Sequence, residues 1–239
     1  MANKVVLIVG AFSSLSNGIA TTFAESKASI VLVDWSDRGQ KQAQDNLISS
    51  LRNSGASNAI FITGKLNEAK EWKRIISEIK EKFNQLHYFI YLDGLSCDNN
   101  YFNESGDTIK HLASYNLYAP IFAISSCLEI LGKTNGQAAV VINRHCMWFF
   151  HILLSFWKKN IYCFNLSVGK ASSTALYTSQ KEGVHAYLQA IRKSTGLQTT
   201  YIYPGVSEFY QFSKGNHFTF PETNEKQVGK KSNIFVTIY

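Results

Sequence analysis

Cysteine is scarce in this chain: Cys97, Cys127, Cys146 and Cys163 are the four it has in 239 residues. They are widely spaced and form no CxxC pair, so neither a disulfide framework nor a zinc knuckle is suggested. Free thiols fit a reducing compartment, and a cytoplasmic protein is expected. Long apolar runs are missing as well. No segment reaches the roughly 18 apolar residues that a membrane span needs. The opening "MANKVVLIVGAF" holds too short an apolar stretch for a signal peptide and reads as a first strand. There is no internal repeat and no low-complexity linker. A block of one charge sign is lacking too. The net charge is +7, yet the best-populated basic segment, 65–82, interleaves Lys and Arg with Glu68, Glu71, Glu78 and Glu81. Such a segment is a solvated helix face, and no nucleic-acid partner is expected.

What is present is a globular composition, 45% hydrophobic and 17% charged, long enough for one large α/β domain with its own core. Apolar strand-like runs alternate with amphipathic ones. Strands are expected at 4–9, 29–34, 59–63, 87–92, 138–142, 160–167 and 199–203, with a further candidate in "NIFVTIY" (233–239). Helices are expected near 15–27, 38–53, 67–84, 108–131 and 173–194. In the third of these, Trp72, Ile75, Ile76, Ile79 and Phe83 recur at helical spacing. Strand–helix alternation with short connections implies a doubly wound parallel sheet in a three-layer α/β/α arrangement, read as one Rossmann-like domain over 1–239.

Glycine is short in one place that matters. "VGAFSSLSNG" (9–18) joins the first strand to the first helix, where a nucleotide-binding sheet carries its phosphate loop. Gly10 stands at its start, but Ser13, Ser14, Leu15 and Ser16 follow. Further along, "YTSQK" (177–181) sets Tyr177 and Lys181 one helical turn apart, on one face. A phenol titrates near 10, and an adjacent ammonium stabilises the phenolate, so the pair can exchange a proton with a carbonyl or alcohol oxygen. YxxxK alone is common by chance. Ser167, ten residues upstream, offers a hydroxyl for the substrate oxygen. Asn116 lies inside an apolar helix, either as part of a polar relay or as a helix-bending residue.

Together these segments resemble the short-chain dehydrogenase/reductase family, over about 4–143 and again over about 160–210. "GAFSSLS" lies on the phosphate loop, "VD" (33–34) on the end of the second strand, and "YLDG" (91–94) on the segment after the fourth. "YNLYAP" (115–120) lies on the Asn-bearing helix, "YTSQKEGVHAYLQAIRK" (177–193) on the catalytic helix, and "YPG" (203–205) on the turn that follows. The resemblance implies an NAD(H)-dependent oxidoreductase acting on a small alcohol or carbonyl substrate. In it Tyr177 is the general acid/base, Lys181 tunes Tyr177 and holds the nicotinamide ribose, Ser167 orients the substrate, and Asn116 supports a proton relay. Cofactor contacts are implied for Gly10, Ser13, Ser14, Leu15, Asp34, Leu66, Gly94, Tyr177, Lys181, Pro204 and Gly205. Asp34 at the adenine ribose favours NAD(H), with NADP(H) the second choice. A homodimer or homotetramer is implied.

The sequence also departs from the family pattern. Ser14 and Ser16 replace the second and third glycines of the loop, Lys65 replaces an adenine-contacting Asp, and "YLDG" keeps only the final glycine of its motif. These departures point to a loosely binding loop. They also keep open a second reading, a catalytically weak member that serves as a nucleotide-binding or protein-interaction module. An atypical insertion at about 144–160 contains "CMWFFHILLSFW". Packing on the substrate pocket or an oligomer contact is preferred there over an interfacial membrane anchor. His145, Cys146 and His151 match no zinc spacing, and no metal is expected. "NES" (103–105) and "NLS" (165–167) would be glycosylation triplets only in a secreted protein.

Overall fold

A computed structural model describes residues 2–95, 105–141 and 172–202. Ser167, Pro204, Gly205, the insertion at 144–160 and the strand candidate at 233–239 lie outside the described residues.

Among the described residues, six strands form one parallel sheet. Five helices run between them in sequence: α1 (Ser14–Glu25), α2 (Lys41–Asn53), α3 (Ala69–Phe83), α4 (Gly106–Ala113) and α5 (Ala119–Lys133), with α6 (Ser172–Thr195) before the last strand. The strands are β1 (Val5–Val9), β2 (Ser29–Trp35), β3 (Asn58–Gly64), β4 (Tyr88–Tyr91), β5 (Gln137–Val141) and β6 (Gln198–Ile202). Their spatial order is β3-β2-β1-β4-β5-β6, and every neighbouring pair is parallel. The chain therefore winds outward from β1 in one direction, returns, and winds outward in the other. The crevice between β1 and β4 at their carboxyl ends is the switch point.

The apolar pattern dictates this layering. β1 is apolar throughout because both its faces are covered. Val5, Leu7 and Val9 join a core built with Trp72, Ile75 and Ile79 of α3, Ala123 and Cys127 of α5, and Val184 and Leu188 of α6. Val6 and Ile8 face the opposite core, built with Ile19, Ala20 and Ala24 of α1 and Ile48 and Leu51 of α2. The doubly wound sheet expected from the sequence is the one found. α3 takes the amphipathic form read from its spacing and stops at Asn84, whose φ of 54° is the left-handed cap an Asn tolerates. Among the described residues, no helix is long and apolar enough to cross a membrane.

One helix differs from the sequence reading. The expected helix over 108–131 is α4 and α5 joined by a π turn, Ser114–Tyr118, with Asn116 at its centre. A π turn widens the backbone by one residue and recurs at functional sites. Here it lets the Asn116 side chain turn inward, fully buried, in an otherwise apolar stretch.

Candidate active site

The site begins at the loop after β1. Gly10 has φ +89°, and its N–H bonds Val33 O across the sheet at 3.0 Å. A Cβ at Gly10 would stand 3.1 Å from the backbone N of Asp93, so glycine is required by both angle and space. Ser13 caps α1: its Oγ accepts from Ser16 N at 3.1 Å and donates to Gly10 O at 3.2 Å. The first turn of a helix has no internal partner for its N–H groups, so those of Ser14 and Leu15, which open α1, are the ones left for an anion. Ser16, in the third glycine's place, is fully buried, and its hydroxyl has no partner among the described residues.

At the end of β2, Asp34 is 1% exposed and accepts from Trp35 N at 2.8 Å and Phe12 N at 3.3 Å. Burial, then the charge of Asp93, push its carboxyl up from the ordinary carboxylate range to about 6, against the opposing pull of those N–H groups and of Arg38. Leu66 is fully buried, and its carbonyl accepts from Trp72 Nε1 at 2.7 Å, which pins the turn after β3.

The far side of the crevice is built by the loop after β4 and by α6. Lys181 is 2% exposed, and its Nζ donates to Asp93 O at 2.8 Å. The same Nζ lies 5.4 Å from the ring centre of Tyr177, the partner expected one turn away. Burial lowers the Lys181 ammonium to about 8, partly offset by Asp93. Gly94 is the contact that permits this approach: a Cβ there would stand 2.9 Å from Lys181 Nζ and 3.3 Å from Asn116 Oδ1. Asn116 Oδ1 accepts from Leu95 N at 2.8 Å, while its Nδ2 donates to Leu95 O at 2.7 Å and to Gln180 Oε1 at 2.9 Å. It thus ties the loop after β4 to α6, one residue from Lys181.

Gly10, Asp34, Gly94, Asn116, Tyr177 and Lys181 therefore line the carboxyl ends of β1, β2 and β4 and the face of α6 beside them. Sequence reasoning missed four neighbours: Asp93, Trp35, Tyr115 and Gln180. Asp93 carried a signal, since it sits in the motif of which only the last glycine was kept. The others became visible only through packing. The donors at the site suit a dinucleotide. The N–H groups of Ser14 and Leu15 at the start of α1 are left for an anion, and Lys181 makes one hydrogen bond among the described residues out of the three an ammonium can give.

Residues 4–146 match the family model described as short chain dehydrogenase. The match covers more than half of the chain, and the chain belongs to that family. Among similar proteins, an 11-beta-hydroxysteroid dehydrogenase of Pinus massoniana is 27% identical over 142 residues, 59% of this chain and 38% of that one. A meso-2,3-butanediol dehydrogenase of Serratia marcescens is 28% identical over 134 residues, 56% of this chain and 51% of that one. The chain thus spans between about a third and a half of the length of such relatives. In fold it is similar to an alcohol dehydrogenase of the archaeon Thermococcus sibiricus complexed with 5-hydroxy-NADP, with a TM-score of 0.75 at 15% identity over 99% of this chain and 91% of that one.

Proposed function

We propose that this chain is an NAD(H)-dependent oxidoreductase that interconverts an alcohol and a carbonyl on a small substrate. The observation that carries the reading is the Tyr177–Lys181 pair on α6, with Lys181 Nζ 5.4 Å from the Tyr177 ring and anchored by Asp93 O at the crevice. A bound nicotinamide would supply or receive the hydride. Tyr177 would give its phenolic proton to the substrate oxygen during carbonyl reduction and take it back during alcohol oxidation. Lys181 sits where its positive charge favours the phenolate. With an ammonium titrating at about 8, most of the Lys181 population is charged at neutral pH. Asn116 would hold Gly94, Leu95 and Gln180 in place around the ammonium. Ser167 is assigned the substrate oxygen by the resemblance alone.

The phosphates would meet the Gly10–Ser13 turn and the start of α1, and the adenine ribose would meet Asp34. Calorimetric titration of the purified protein with NADH and NADPH tests this. Loose but measurable NADH binding, tighter than that of NADPH, is expected, and Asp34→Ala should narrow the difference. Binding of neither nucleotide would end the oxidoreductase reading and leave a protein-interaction module as the alternative.

A further inference from the structure

Arg38, just past β2, is caught between two carboxylates. Its Nη1 stands 2.6 Å from Asp93 Oδ1 and 3.5 Å from Asp34 Oδ1. The other oxygen of Asp93 accepts from Trp35 Nε1 at 2.5 Å. Trp35 stacks on Tyr115 with ring centres 4.0 Å apart, and the guanidinium carbon lies 5.9 Å from each ring centre. Asp93 follows β4, while Trp35 and Arg38 belong to the end of β2, and β1 lies between those two strands. The Asp93 side chain therefore reaches across the carboxyl end of β1, where its backbone already packs on Gly10.

That crossing lies at the adenosine end of a dinucleotide site. In such sheets the pyrophosphate sits on the first loop and the ribose at the end of the second strand. A carboxylate there accepts from a 2′-hydroxyl, whereas an arginine there accommodates a 2′-phosphate. This chain has both groups, Asp34 and Arg38, four residues apart. Their sum is neutral. Asp93 tips the balance, because two carboxylates and one guanidinium leave a net charge of −1, and both carboxylates draw on the same Nη1 of Arg38.

We propose that Asp93 is a specificity-determining residue of the nucleotide site: by holding Arg38 in an ion pair, it excludes nucleotides that carry a 2′-phosphate. The inference rests on the nucleotide-binding reading given above. A 2′-phosphate, with a charge of about −1.5 to −2 near neutrality, would have to approach the carboxylates of Asp34 and Asp93 and share a guanidinium whose Nη1 is held 2.6 Å from an Asp93 side chain only 5% exposed. Displacing Asp93 altogether would leave that carboxylate buried with Trp35 Nε1 alone. A 2′-hydroxyl asks nothing of Arg38.

The test is calorimetric binding of NADH and NADPH, with no turnover required, to the wild type, Asp93→Asn, Arg38→Gln and the double variant. The wild type is expected to bind NADH at least tenfold more tightly. Asp93→Asn, which keeps one acceptor for Trp35, should narrow that ratio about tenfold through a gain for NADPH. The gain should vanish in the double variant. A ratio unchanged in Asp93→Asn while NADH still binds would overturn the inference and leave the nucleotide site standing, as would a gain that survives the loss of Arg38. If Asp93→Asn does not fold, Arg38→Gln decides: its NADPH affinity should stay within twofold of the wild type. A fivefold or greater loss would mean that Arg38 already serves the phosphate. Binding of neither nucleotide to any variant would remove the site and the inference together.

Discussion

At the scale of the residue, the proposed chemistry rests on two side chains of one helix, and each can be tested by itself. Tyr177→Phe keeps the ring against Lys181 and removes only the proton it would exchange. Turnover should fall by about 10²- to 10⁴-fold with NADH affinity unchanged, which is the size of a general acid/base contribution. Steady-state rates paired with a binding titration check this, and equal loss in both would mark Tyr177 as structural. Lys181 makes a different demand. Burial holds its ammonium at about 8 against an ordinary 10.5. Between those values the unfolded chain binds a proton that the folded chain does not, so stability rises with pH across the window. The penalty is fully present below about pH 8 and is relieved by about pH 10.5. At 1.36 kcal/mol per pKa unit the rise is about 3 kcal/mol. Urea unfolding of the wild type and Lys181→Met between pH 7.5 and 10 should show the rise in the wild type alone. Parallel curves would refute it.

At the scale of the element, the π turn and the start of α1 are the two places where local sequence preference and the site conflict. Asn116 makes three hydrogen bonds from within an apolar helix, and two of them satisfy the N–H and C=O of Leu95. Asn116→Ala strands those groups, at about 1–3 kcal/mol for each one left buried and unpaired. It should also loosen the loop that carries Gly94. Chemical denaturation should give the stability loss, and faster amide exchange in the loop after β4 the local one. A neutral variant would mean that the loop has another anchor. In α1 the burden is Ser16, a buried hydroxyl with no partner among the described residues. Ser16→Ala should stabilise the protein by about 1 kcal/mol or more and leave NADH affinity intact. If NADH affinity falls instead, the hydroxyl turns to the phosphates when they bind. Ser14 and Ser16 lie in the right-handed first turn of α1, and Gly10 is the residue of the 10–16 loop with positive φ. The strain expected at the two serines is absent, so Ser14→Gly with Ser16→Gly should not tighten NADH, and a gain of about tenfold in a binding titration would mean that their Cβ atoms hold the phosphates away.

At the scale of the whole molecule, the sheet should be most rigid at its centre. All five residues of β1 are buried, and the strand is paired on both edges. Among the described residues β3 pairs on one edge, and it keeps Ile60, Phe61 and Thr63 half-buried. Hydrogen exchange should therefore be slowest in β1 and faster in β3, because opening the centre requires the global transition and opening an edge does not. Equal protection would mean that the free edge of β3 is covered in the assembled protein.

The sequence by itself determined the alternation of strands and helices, since periods of 2 and 3.6 and unbroken apolar runs are local properties of a chain that must bury two sheet faces. It also determined the order of the motifs, and with it the family, and it set Tyr177 and Lys181 on one face, because four residues make about one turn wherever a helix forms. Tertiary structure decided what lies far apart in the chain and meets at the crevice. Asp93 reaching Arg38 and Trp35, Asn116 holding Leu95 and Gln180, and the indole of Trp35 on Tyr115 span separations that no local pattern encodes. The titration of Asp34 and Lys181 belongs with them. Both side chains have ordinary pKa values in an unfolded chain; burial moves each of them, and the charge of Asp93 from another strand adds to the shift of Asp34 and opposes that of Lys181.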